Sequence, residues 1–137
     1  MVDDEDPAIA HVRAIQREFR PSVIERMEIH YVEEGPLLTL VLRPAHEKDP
    51  RRVTLSFHDV ADLSFGPGIW FPHLSLLEID SIKDRHWEGK HYAVHNDEQD
   101  NELSFYCRYF DMAVTAVHAI RPVREVEQDV NSIIEGV

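Results

Sequence analysis

Cysteine is nearly missing from this 137-residue chain: Cys107 stands alone. No intrachain disulfide can form, which excludes a small secreted scaffold held by cross-links. Positive charge is scarce as well. Fourteen lysines and arginines face 26 aspartates and glutamates, a net charge of −12. A binder of nucleic acid or of anionic lipid needs a basic patch that this composition does not supply. No stretch approaches the roughly 18 apolar residues of a membrane span. The opening Met-Val-Asp-Asp-Glu-Asp-Pro has neither the basic region nor the apolar run of a secretory signal, so a reducing cytoplasm is the expected location. With 43% hydrophobic residues, the chain has enough apolar surface for one core, and a single domain over 1–137 is expected, residues 1–6 lying outside its ordered part.

The acid excess runs along the whole sequence rather than sitting in one tail. Such a surface speeds encounter with a basic partner over a range of about 8 Å at physiological salt.

Asp6 can cap a helix, Pro7 suits its first turn, and Ile9, Val12, Ile15 or Gln16, and Phe19 recur at helical spacing before Pro21 stops it. A helix over 7–20 is expected. From residue 23 the period becomes two. Met27, Ile29 and Tyr31, then Leu38, Leu40 and Leu42, flank the turn residues Glu33-Glu34-Gly35-Pro36 and predict a hairpin. Val53, Leu55 and Phe57 predict a third strand. Further alternations appear at Leu77/Ile79, at Tyr92/Val94, at Leu103/Phe105/Cys107/Tyr109 and at Val114/Ala116/His118/Ile120. Val123, Val126, Val130 and Ile133 or Ile134 have helical spacing and predict a short C-terminal helix. The expected class is α+β, mainly β: an antiparallel curled sheet or sandwich of about seven strands with two flanking helices.

Few residues carry chemistry. His91 and His95 could share a metal on a helix, but on a strand four positions span about 13 Å, too far for one ion. No metal and no cofactor is expected. The acidic run Asp97 to Glu102 lacks the central glycine of a calcium loop and reads as a hairpin turn. Cys107 falls on an apolar strand face, where cysteine is usually inert. Ser56, His58 and Asp59 lack a nucleophile elbow. Gly66-Pro67-Gly68 is too short to cradle phosphate. The aromatics Trp70 and Phe71, in a loop framed by glycine and proline, and Trp87 either plug the core or anchor a partner.

The runs Val53-Thr-Leu-Ser-Phe-His-Asp-Val-Ala-Asp-Leu-Ser-Phe65, Leu-Leu-Glu-Ile-Asp-Ser-Ile at 76–82, Trp87…Tyr92-Ala-Val-His-Asn-Asp97 and Glu102-Leu-Ser-Phe-Tyr-Cys-Arg-Tyr-Phe-Asp-Met112 together resemble small bacterial proteins that include immunity-protein families of polymorphic toxin systems. That resemblance covers about residues 20–120. It implies a β-rich domain that binds and neutralises a cognate toxin, and it carries no catalytic residue onto this chain. The reading is therefore a non-enzymatic acidic protein whose partner is a basic protein, with Trp70, Phe71, Trp87, Asp97, Glu98, Asp100 and Glu102 as contact residues. Two alternatives stand beside it. One is a small-molecule-binding or hydrolytic domain in which His58, His73, His86, His91 or His118 converge on a pocket. The other is a structural subunit joined through a free sheet edge.

Overall fold

A computed structural model describes residues 6–65, 74, 77–97 and 102–116 of the chain. It opens with α1 (Pro7–Phe19), whose buried residues Ile9, Val12 and Phe19 form the stripe expected from their spacing. Arg20 ends the helix in the left-handed conformation, and its N–H donates to the Gln16 carbonyl at 3.1 Å.

Among the described residues eight antiparallel strands follow: β1 (Pro21–Val32), β2 (Gly35–Pro44), β3 (Arg51–His58), β4 (Ala61–Phe65), β5 (Leu77–Ser81), β6 (Tyr92–Asn96), β7 (Leu103–Cys107) and β8 (Tyr109–Ala116). They form two four-stranded sheets ordered β1-β2-β3-β8 and β4-β7-β6-β5. The fold is thus mainly β, as expected, with one strand added and one strand boundary shifted. Ala61–Phe65 forms a short strand of its own. The 103–109 alternation is divided at Arg108 between β7 and β8. The expected C-terminal helix, together with His118 and Ile120, lies outside the described residues.

The register shows how the sheets are joined. Arg51 faces Ala116, His58 faces Tyr109, Ala61 faces Tyr106 and Phe65 faces Leu103. β3 with β4, and β7 with β8, therefore make one long antiparallel ladder that passes through both sheets and turns a corner at Asp59–Val60 and Arg108. At the corner the spacing of buried side chains lengthens from two to three on both strands, from Phe57 to Val60 and from Cys107 to Phe110. Asp59 makes the turn in the left-handed region (φ 59°), which aspartate tolerates better than most residues. The corner is tied by Val60 N–H donating to the Pro36 carbonyl (3.0 Å) and Arg108 N–H donating to the His58 carbonyl (2.9 Å). Lys90 Nζ lies 3.1 Å and Arg108 Nε 3.6 Å from the Asp59 carboxylate.

The curled ladder brings the inner faces together. Leu38, Phe57 and Phe110 sit opposite one another across β2, β3 and β8, as do Leu40, Leu55 and Met112. Phe105 of the other sheet meets Phe57 edge-on at 4.9 Å, and Tyr92 meets Phe110 at 5.0 Å. α1 closes one open side. Its Gln16 amide donates to the Leu77 carbonyl on β5 at 3.0 Å, and Arg51 at the start of β3 lies 4.2 Å over the ring of Phe19. No helix among the described residues is long and apolar enough to cross a membrane.

Asp6 pins the helix to this frame. Its carboxylate accepts from the N–H groups of Ala8 (2.8 Å) and Ile9 (3.4 Å), from the Tyr92 hydroxyl (2.6 Å) and from Lys83 Nζ (3.0 Å). Burial alone would raise its pKa, but these four donors outweigh it and hold the carboxyl below its usual value. Asp6→Ala should cost about 2–3 kcal/mol, roughly 1 for the cap and the rest for the Tyr92 hydroxyl left without its acceptor. Because the folded-state pKa is depressed, the contribution is present above the unfolded value of about 3.9 and is lost as pH falls through the folded one. Urea titrations of both chains at neutral pH and in acid check this: a gap that does not narrow in acid would refute it.

Candidate partner-binding face

The alternation that buries Leu77, Ile79, Val94, Leu103 and Phe105 sends their neighbours to the outer face of the second sheet. Two rows cross it. Glu78 faces His95, which faces Ser104, which faces Ser64. Asp80 faces Ala93, which faces Tyr106, which faces Ala61. The face is acidic along β5, lined with short side chains in the middle, and aromatic at Tyr106. Trp87, from the loop after the 3-10 turn Lys83–Arg85, leans edge-on against Tyr106 at 5.0 Å and stays 45% exposed. A low middle between an acidic margin and a half-exposed tryptophan offers both charge and an aromatic anchor to a protein surface.

His95 binds the acidic margin together. Nε2 lies 2.9 Å from Asp80 Oδ2 and 3.7 Å from Glu78 Oε1, and Nδ1 lies 3.0 Å from Asp97 Oδ2. The Asp80 contact, opposed by partial burial and reinforced by Asp97, raises the imidazole pKa above its ordinary value. The stabilisation is therefore present below the unfolded value of about 6.5 and fades as pH rises through the folded one. His95→Gln should cost about 0.5–1 kcal/mol at pH 6 and close to nothing at pH 9. Thermal melts at the two pH values measure it, and an equal loss at both would contradict the ion-paired geometry.

Glu78, Asp80 and His95 offer ligand atoms within 4.8 Å of one another. Among the described residues they form the group on this face that could approach a cation, provided His95 were neutral. His91 is not among them: β6 is a strand, and His91 precedes it with its N–H donating to the Cys107 carbonyl at 3.0 Å.

Of the contact residues expected from sequence, Trp87, Asp97 and Glu102 are exposed, the last two at the ends of β6 and β7. Trp70, Phe71, Glu98 and Asp100 lie outside the described residues. Sequence reasoning weighed His95 only as a partner of His91 and passed over Glu78, Asp80 and Tyr106, although the period-two pattern that buries Leu77, Ile79, Val94 and Phe105 already sends all four outward.

A family model described as Immunity protein PIM8 matches residues 9–113. The chain belongs to the PIM8 immunity-protein family. The matched region starts at Ile9 in α1 and ends inside β8, so it spans the helix, both sheets and the corner between them. No curated protein and no solved structure matches this member of the family.

The nucleophile candidates of this PIM8 protein do not assemble. Cys107 is fully buried, and desolvation pushes its thiol up to about 12. Ser56 and His58 share the outer face of the first sheet, where His58 hydrogen-bonds Asp111 at 2.9 Å and stacks on Tyr109 at 4.2 Å. Asp59 turns instead toward Lys90 and Arg108. A cleft beside α1 is lined by His46 and by none of His58, His86 or His91. His73 and His118 lie outside the described residues.

Proposed function

We propose that this chain binds a cognate toxin protein and blocks it without catalysing a reaction. The observation that carries the reading is membership of an immunity-protein family over nearly the whole described fold. The outer face of the second sheet suits the task. Glu78, Asp80, Asp97 and Glu102 would steer a basic partner, and Trp87 with Tyr106 would anchor it, with Trp70, Phe71, Glu98 and Asp100 as further contacts. A protein of this kind works in the cytoplasm, where the toxin would act.

Co-expression with a cognate toxin domain should restore growth, and the purified pair should associate quickly at low salt. Raising salt from about 0.1 to 1 M shortens the screening length from about 10 to 3 Å and should slow association markedly. Glu78→Lys with Asp80→Lys should act mainly on the association rate, and Trp87→Ala should cost about 2 kcal/mol, mainly through faster dissociation. Absence of protection, or a complex indifferent to salt and to these three substitutions, would overturn the proposal.

A further inference from the structure

One concave surface runs against the charge of the molecule. α1, the start of β1, the connection after β2 and strand β5 enclose a cleft of about 1140 Å³. Val12, Phe19, Leu77 and Ile79, all buried, contribute to its apolar lining. Arg13 and Arg17 line it from α1, four residues apart and so along one side of the helix, and Arg20 lines it from the left-handed residue that ends the helix. The charge of Arg51, also in the lining, is already matched by Asp49 at 2.7 Å. Arg17 and Arg20 are exposed and have no carboxylate within ion-pair distance among the described residues.

We propose that this cleft is a second binding surface, which takes an acidic, partly apolar peptide segment of another protein. The inference does not depend on the toxin reading. The volume lies near the upper end of the roughly 300–1,000 Å³ of small-molecule pockets, and the cleft is open along one side, which leaves room for a peptide segment. The lining calls for apolar side chains, while two unmatched guanidinium groups call for carboxylates, which they hold in bidentate fashion. An amphipathic segment laid in a groove meets both demands. A nucleic acid meets only the second, and it would have to cross the field of a −12 chain with Asp49 and Glu78 at the cleft itself.

The test is fluorescence anisotropy with the full chain and a labelled amphipathic peptide of about 15 residues built from glutamate, leucine and alanine. The peptide should bind. Arg17→Glu with Arg20→Glu should weaken it at least about tenfold, and the milder Arg17→Gln with Arg20→Gln should weaken it less, both variants keeping the wild-type circular dichroism and melting temperature. No binding, equal binding of a peptide with lysine in place of glutamate, or tighter binding of an oligothymidylate would each overturn the proposal. So would two other results: competition by a free peptide of residues 117–137, which would give the cleft to the chain's own C-terminal segment, and a dimer dissolved by the arginine substitutions, which would give it to a second copy.

Discussion

Phe57→Ala should destabilise the protein by about 3–5 kcal/mol, a large part of the 5–15 kcal/mol that holds a domain folded. Phe57 is fully buried, 4.9 Å edge-on from Phe105 and 6.0 Å from Phe110. It is the last inward residue of β3 before the corner, so the cavity left by its removal opens where the two sheets meet and little can collapse into it. Urea denaturation should show a lower midpoint with an unchanged slope. A double-mutant cycle with Phe105→Ala should give a coupling of about 0.5–1.5 kcal/mol. A loss under about 1 kcal/mol would mean that the inner faces are not packed as described.

Gly35→Ala should cost about 2–3 kcal/mol, though the change adds only a methyl group. Gly35 has φ +121°, a conformation that side chains rarely adopt and that costs on the order of 1–3 kcal/mol. The new Cβ would also stand 2.5 Å from Asp59 Oδ1. The carboxylate would have to move, and with it the contact to Lys90 Nζ. Asp59→Ala removes the clash but not the backbone strain, so the glycine substitution should cost less in that background, by roughly 1 kcal/mol. Equal penalties in both backgrounds, measured by denaturant titration, would show that the carboxylate contact plays no part.

Strands were legible wherever one face is dry over several residues: Val53 to Phe57 and Leu103 to Cys107 alternate between buried and less buried positions, Leu38 to Leu42 does so apart from the buried Val41, and α1 announced itself through Asp6, Pro7 and its apolar stripe. The corner was not legible. Leu103/Phe105/Cys107/Tyr109 is an unbroken alternation in the sequence, yet Tyr109 is 46% exposed and Phe110 buried, because the ladder bends at Arg108 and the inward phase slips by one residue. That slip depends on the opposite strand, where Asp59 adopts a positive φ, and no local pattern reports a long-range pairing. β4 escaped for a related reason: a register shift between Ala61 and Ser64, with Asp62 at φ 56°, breaks the regular period over a strand of five residues. The acidic margin escaped because its parts lie on two strands, Glu78 and Asp80 on one and His95 on the other, and only the register brings them within reach. The cleft escaped for the same reason, since Arg17 and Leu77 are far apart in the chain.

The ladder that runs through both sheets has a thermodynamic consequence. Neither sheet can melt while the other persists, because β3 with β4 and β7 with β8 are continuous segments whose pairing spans the corner. Calorimetric and van 't Hoff enthalpies should therefore agree. Amide protons of β2 and β6, which belong to different sheets, should exchange through the same global opening. The Cys107 thiol, sealed at the bend, should become reactive only in that event, so the rate at which a thiol reagent labels the native protein would report the free energy of the whole fold.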